Sequence, residues 1–450
     1  MCIVSRDSEY ERYQVGHRRL QPGYKKVDCQ ILVPTFDFWD GHLHNLRIFI
    51  NDIDMKSAHL LLLGIIFNLA MVSTSHTALA QTQHWRGPDQ NGNFGPGDFP
   101  SSLNTNTLKW KSPLPGKGTS TPILVDNKIF LTCPAEGKDC VLAFDFQGKE
   151  LWRQSLGAEV PGKHRNGSGS NASIATDGKR LFAYFKSGTL AGLKLDGQIL
   201  WEHNLIEKYG PDSLYWDHGT SPVVTSSGVV MVRMHQGESW LASFDRQTGK
   251  LQWKTPRNFK TPTEGDHGYT SPVITKLNGK EIILLWGGQH LTAHDPSNGR
   301  TLWMCGDFNP SNKNFWPAVA TPVLIDDVAV VPFGRADKRQ PRLHGIRLSG
   351  KGDVTQSNRL WKTDQHSCFV PSPTTDGSNA LVLSDRGSIV AIAPESGKEI
   401  WKLDLPEHRS SYYASPSVAG NYFYAAREDG TVFIVDRTQS GRLVSEQDLE

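Results

Sequence analysis

One phrase limits what this chain can fold into. It is a small residue, an Asp or its equivalent two positions on, a turn ending in Gly, and a Trp four residues after that Gly. It reads AFDFQGKELW (143–152), LKLDGQILW (193–201), ASFDRQTGKLQW (242–253), AHDPSNGRTLW (293–303) and AIAPESGKEIW (391–401). A degraded copy, GIRLSGKGDVTQSNRLW (345–361), carries an insertion in its turn, and in IVDRTQSGRLVS (434–445) Ser445 takes the Trp position. From Trp152 to Trp401 the spacings are 49, 52, 50, 58 and 40 residues. A fixed period of this size marks a repeat architecture, in which each unit buries its apolar face against its neighbours.

Each copy reads as a β-hairpin: an alternating apolar strand, an Asp-to-Gly turn and a second strand ending in Trp. A second hairpin lies between copies, as in TPILVDNKIFLTC (121–133), SPVVTSSGVVMVRM (221–234), SPVITKLNGKEIILLW (271–286), TPVLIDDVAVVPF (321–333) and SPSVAGNYFYAAR (415–427). Two hairpins give four strands per repeat. The 42 Gly, 26 Pro and 13 Trp favour short strands and tight turns over long helices. The expected fold is all-β, a β-propeller of seven or eight four-stranded blades. Trp110, Trp152, Trp201, Trp253, Trp303, Trp361 and Trp401 are then packing residues between blades.

Thr/Ser-Pro recurs at 121, 221, 271, 321, 372 and 415, where the innermost strand of each blade begins; Ile174 marks the second blade's start. Pro is tolerated at the first residue of a strand. Residues just before these points lie where the chain crosses from one blade to the next, around one mouth of the central channel. Asp-His-Gly occurs twice there, at 217–219 and 266–268, and reads as a repeated corner first. Seven inner-strand starts stand against eight outer strands if Leu108–Trp110 is included. Either that strand closes a seven-bladed ring or an eighth blade lacks its inner strands.

The Ala-x-Asp-x-x-Thr-Gly-x-x-x-Trp phrase resembles the repeat of pyrroloquinoline-quinone-type (PQQ-like) propellers over roughly 108–450. That family holds quinoprotein alcohol dehydrogenases, the outer-membrane assembly lipoprotein BamB and extracellular domains of some bacterial kinases. The segment HWRGPDQNG (84–92) is similar to the start of many secreted members. The resemblance implies either a binding or scaffold module, or a dehydrogenase of alcohols or sugars using PQQ and calcium. Family dehydrogenases often carry a pair of adjacent cysteines; none occurs here, and no local motif places the calcium carboxylates or the base. No kinase motif is present.

Met55-Lys56, the apolar run Leu60–Val72 and Ala78-Leu79-Ala80 read as an export signal, too short to span a bilayer. The expected organisation is an N-terminal extension at 1–54 outside the fold, a signal peptide at 55–80, a lead segment at 81–107 and the propeller at 108–450. Translation is expected to start at Met55, and the mature protein to act in the periplasm or outside the cell. BamB is a lipoprotein with a cysteine after its signal; Gln81 stands there here, so the resemblance does not carry the lipid anchor. Cys133 and Cys140 flank a turn and allow a hairpin disulfide or two free thiols.

With 48 Lys plus Arg against 46 Asp plus Glu, the charge balance gives no reason to expect a nucleic-acid partner. No zinc-ligand spacing occurs. The crossings supply His218, His267, Trp316, His366, Arg409 and Tyr413 as candidates for a polar, aromatic mouth that takes a protein, peptide or small ligand. The plainer expectation is that each His hydrogen-bonds a neighbouring crossing and orders its loop. Arg233 and Arg427 are expected in a solvated or ion-paired surface role, and the segment 164–173 as a mobile surface loop or a ligand-contacting one.

Overall fold

A computed structural model describes residues 2–4, 29–34, 84–104, 106–335 and 339–449. The expected export signal at 55–80 lies outside them. From Ile123 to Asp448 the described chain forms seven blades, each a four-stranded antiparallel sheet whose order follows the sequence. Blade 1 holds strands Ile123–Val125, Lys128–Ala135, Lys138–Asp145 and Glu150–Ala158. Blade 7 ends the series with Ser417–Ala419, Tyr422–Ala426, Thr431–Asp436 and Arg442–Asp448. Blade 4 alone gains a fifth strand, because Gly352–Asp353 from the insertion in blade 5 pairs in parallel with Thr301–Cys305.

The repeated phrase has a packing cause. In each closing hairpin the small residue stands directly across from the Trp: Ala143 from Trp152, Gly192 from Trp201, Ser243 from Trp253, Ala293 from Trp303, Gly345 from Trp361 and Ala391 from Trp401. A β-bulge follows the small residue every time. A Cβ on Gly192 would lie 2.5 Å from the Trp201 ring. Blade 7 inverts the pair, with Ile434 opposite Ser445.

Each Trp then docks on the turn of the next blade. The Nε1–H groups of Trp110, Trp152, Trp201, Trp253 and Trp361 donate to the carbonyls of Phe146, Leu195, Arg246, Pro296 and Pro394. The turn Gly is where the ring arrives. At Gly249, φ is +68°, and an added Cβ would meet Trp201 at 2.6 Å. Trp303 is buried but its Nε1 has no partner among the described residues, because the turn it faces is the one carrying the insertion.

Leu108–Leu114 belongs to none of the seven blades. Trp110 docks on blade 1, while Leu103 and Leu108 pack with Val432 of blade 7. This strand therefore fills the outer position of an eighth place in the ring. Its inner edge pairs with Cys29–Pro34, which pairs in turn with Cys2–Val4. Two stretches of the segment before Met55 thus lie against the propeller.

Cys133 and Cys140 face each other across the blade 1 hairpin, yet no disulfide joins them among the described residues. Their sulfurs turn apart, Cys133 Sγ to the Gly116 carbonyl at 3.1 Å and Cys140 Sγ to Ser155 Oγ at 3.5 Å. Arg233 is buried, not at the surface. It donates to the Tyr209 and Gly210 carbonyls and lies over the Trp240 ring. Arg427 is likewise buried, and it is ion-paired to Asp429 at 2.9 Å.

Candidate functional site

The Ser or Thr before each Pro has a function that the repeat alone does not reveal. Its hydroxyl accepts the backbone N–H of the equivalent residue one blade earlier. Thr121 N–H donates to Ser173 Oγ, Ser173 to Ser221, Ser221 to Ser271, Ser271 to Thr321, Thr321 to Ser372 and Ser372 to Ser415, at 2.8 to 3.2 Å. The second blade joins this girdle through Ser173, one residue before the expected Ile174. Six links join seven blades. None joins Ser415 to Thr121 among the described residues, so the girdle is open at the eighth place.

Residues 84–95 occupy the channel inside this girdle. The free edges of the innermost strands face the axis, and this segment bonds to four of them. His84 Nε2 accepts from Val224 N–H of blade 3. Gln90 donates to the Pro272 carbonyl and accepts from Ile274 N–H of blade 4. Arg86 donates to the Pro373 carbonyl, and Thr374 Oγ1 to the Asn91 carbonyl, in blade 6. Asn93 bridges Val418 of blade 7 in parallel. The lead segment is a plug held by the strand edges themselves.

Above the plug, the two Asp-His-Gly corners share a backbone shape but not a side-chain role. Asp217 accepts from Lys163 N–H at 2.8 Å and from His164 N–H at 3.3 Å, and pairs with Lys186 Nζ at 2.7 Å. Burial alone would raise its pKa; the Lys186 ammonium and the two N–H groups outweigh burial and hold it below the ordinary carboxylate value. Among the described residues the one ion pair of Asp266 is with His267 Nε2, at 4.0 Å. Asp217 thereby ties down the segment expected to be a mobile surface loop or a ligand-contacting one. Asn171 Oδ1 holds Ser168 N–H at 2.9 Å, and Asn166 reaches Glu428 of blade 7 at 2.8 Å.

The six candidates do not form one cluster. His218 is buried against Tyr184 at 4.8 Å, and burial pushes its pKa down to about 4. His267 is buried beside Asp266. Trp316 is buried edge-on to Phe333 at 5.4 Å. His366 lies 2.9 Å from Glu399. Arg409 is exposed and Tyr413 half-buried. Tyr413 joins a group that the sequence did not single out: His164 at 6.5 Å, with Trp216 5.3 Å beyond it and Tyr215 against Trp216 at 4.7 Å. Tyr215, Trp216 and Phe315 are 59%, 42% and 54% exposed, on two crossings of the same mouth. Exposed aromatics with arginines at the rim, here Arg165 and Arg409, have the composition of protein-binding hot spots.

A quinone on the axis would have to displace residues 84–95. Among the described residues no group of three or more His, Cys, Asp or Glu converges to hold a metal, and calcium needs six to eight oxygen ligands. The channel does not fit that pair of groups.

A family model described as outer membrane protein assembly factor BamB matches residues 101–303 and 350–448. The chain is 21% identical over 330 residues to outer membrane protein assembly factor BamB of Yersinia pestis, covering 70% of this chain and 74% of that one. Among solved structures it is similar to a europium-containing methanol dehydrogenase, with a TM-score of 0.57, 10% identity and coverage of 82% and 85%. It is also similar to the quinohemoprotein alcohol dehydrogenase from Comamonas testosteroni, with a TM-score of 0.53, 13% identity and coverage of 74% and 67%. At these identities the likeness to the two dehydrogenases is one of fold.

Proposed function

Since the chain belongs to the family of the outer membrane protein assembly factor BamB, we propose that it is an exported binding scaffold that serves assembly of outer-membrane proteins. Its partner is a protein, and its docking surface is the channel mouth around His164, Tyr215, Trp216, Phe315 and Tyr413. The observation that carries this reading is the plug. Residues 84–95 occupy the channel and bond to four of its strand edges, which leaves the rim as the accessible part of that end. His218, His267 and Trp316 support the rim from beneath.

The dehydrogenase reading has the fold likeness in its favour and the plugged channel against it. Two measurements separate the readings. A photo-cross-linking residue at Tyr215 or Trp216 is expected to capture an outer-membrane assembly protein, while one at Leu360, on the outer wall, is not. Addition of pyrroloquinoline quinone with calcium is expected to leave the melting temperature unchanged. A saturable shift with dye-linked alcohol oxidation would replace the scaffold by an enzyme.

A further inference from the structure

Arg86 is the feature of the channel that the scaffold reading does not use. Its side chain is 4% exposed. One terminal nitrogen, Nη2, donates to the carbonyls of Pro373 and Asn91. The other, Nη1, and Nε are buried with no hydrogen-bond partner among the described residues. Neither Asp nor Glu forms a salt bridge with it among the described residues. The remaining orphan of this turn is His84 Nδ1, also a nitrogen. Because His84 Nε2 accepts from Val224 N–H, its Nδ1 carries the hydrogen. Among the side chains of the described residues, three buried donors are thus left over on one turn of the plug and no acceptor.

A buried guanidinium without a counter-charge costs several kcal/mol, and neutral carbonyls offset only part of that. Water would satisfy the N–H groups but would leave the charge unbalanced. We propose that the plugged channel holds a buried binding site for a small inorganic anion, seated against Nε and Nη1 of Arg86. The charged group that would otherwise answer Arg86 is the Cys368 thiol, and burial raises that thiol well above its ordinary pKa, so it stays neutral. Burial lowers Arg86 itself to about 9, still charged at neutral pH. The anion would complete the lock between the plug and blade 6, so filling the channel and binding the anion are one event.

The test uses the full chain at constant ionic strength, with sodium gluconate replaced stepwise by chloride in one series and by phosphate in another. A saturable rise in melting temperature is expected with chloride, abolished in Arg86→Gln; a rise with phosphate alone would assign the site to an oxyanion. Equal melting temperatures in all three salts would overturn the proposal, as would a chloride-dependent rise that Arg86→Gln leaves intact. If Arg86→Gln does not fold, crystals of the native chain grown in bromide decide. An anomalous peak within hydrogen-bond reach of Arg86 is expected, and its absence rejects the site.

Discussion

Two carboxylates show how little of a residue's role its local sequence reveals. Asp217 looks like half of a repeated motif, yet its work is to gather Lys163, His164 and Lys186 into one knot. Asp217→Ala is expected to cost about 3 kcal/mol, because it leaves a partly buried ammonium and two N–H groups unanswered. Chemical denaturation with fluorescence of the nearby Trp216 checks this. Its folded pKa lies below the unfolded one, so its contribution is present above the ordinary carboxylate pKa and is lost as pH falls through the folded value. Asp139 has the opposite sign. Its side chain is buried in blade 1, Ser187 Oγ donates to Oδ2 at 2.5 Å, and Oδ1 has no partner. Burial pushes its pKa up to about 7. Protonated Asp139 folds without penalty below pH ~4, near the unfolded carboxyl's pKa, and the folded state loses stability as pH rises from there to about 7. Asp139→Asn is therefore expected to raise the melting temperature at pH 8 and to leave it unchanged at pH 4. A melting series across this range reads the crossover directly. The buried histidines teach the same lesson. His218 and His267 sit beside Gly and Ser-Pro in a stretch that reads as an exposed corner, and only the fold turns them inward.

At the scale of the hairpin the sequence is far more legible. The Trp, the small residue and the turn Gly meet in space, so their spacing along the chain is a direct record of a contact. The Asp-to-Gly turn is equally local: Asp145, Asp245 and Asp295 each accept backbone N–H groups two to four residues on. The copy that lacks Trp is legible too. Where Trp is replaced by Ser445, the facing position grows to Ile434, so cross-strand volume is kept. Ser445→Trp alone is expected to destabilise by about 1–3 kcal/mol, because two large side chains then compete for one site. Adding Ile434→Ala is expected to recover more than about 1 kcal/mol of that loss, a coupling that a double-mutant cycle measures. Additive single effects would mean that the swap is accidental. What the hairpin pattern could not reveal is the hydroxyl girdle. Ser and Pro stand together in sequence for two separate reasons, and the partner of each hydroxyl lies about fifty residues away.

The whole molecule is a ring with seven full blades and an eighth place occupied on the outside by Leu108–Leu114. The sequence left seven and eight blades equally open because ring closure is made by contacts between the two ends of the propeller, which no repeat spacing encodes. Each blade touches its neighbours through one Trp dock and one girdle hydroxyl, so stability passes from blade to blade as in a linear array. At the open place the girdle link is missing. The span is bridged by Leu108–Leu114, which touches both end blades, and by the loop of blades 1 and 2 reaching blade 7, where Glu428 accepts from Asn166 at 2.8 Å and pairs with Arg165 at 3.4 Å. Its other oxygen accepts from Ser411 N–H at 3.1 Å. A ring joined this way is expected to open first at the seam, where no girdle link has to break. Native-state hydrogen exchange is therefore expected to be fastest in the inner strands of blades 1 and 7 and slowest in those of blades 3 to 5. Glu428→Gln keeps the shape of the strap and removes its charge; it is expected to speed exchange in Ser417–Ala426 and Ile123–Ala135 while leaving Val273–Gly287 unchanged. Uniform acceleration around the ring would mean that the propeller opens as a single unit and that the seam carries no special weakness.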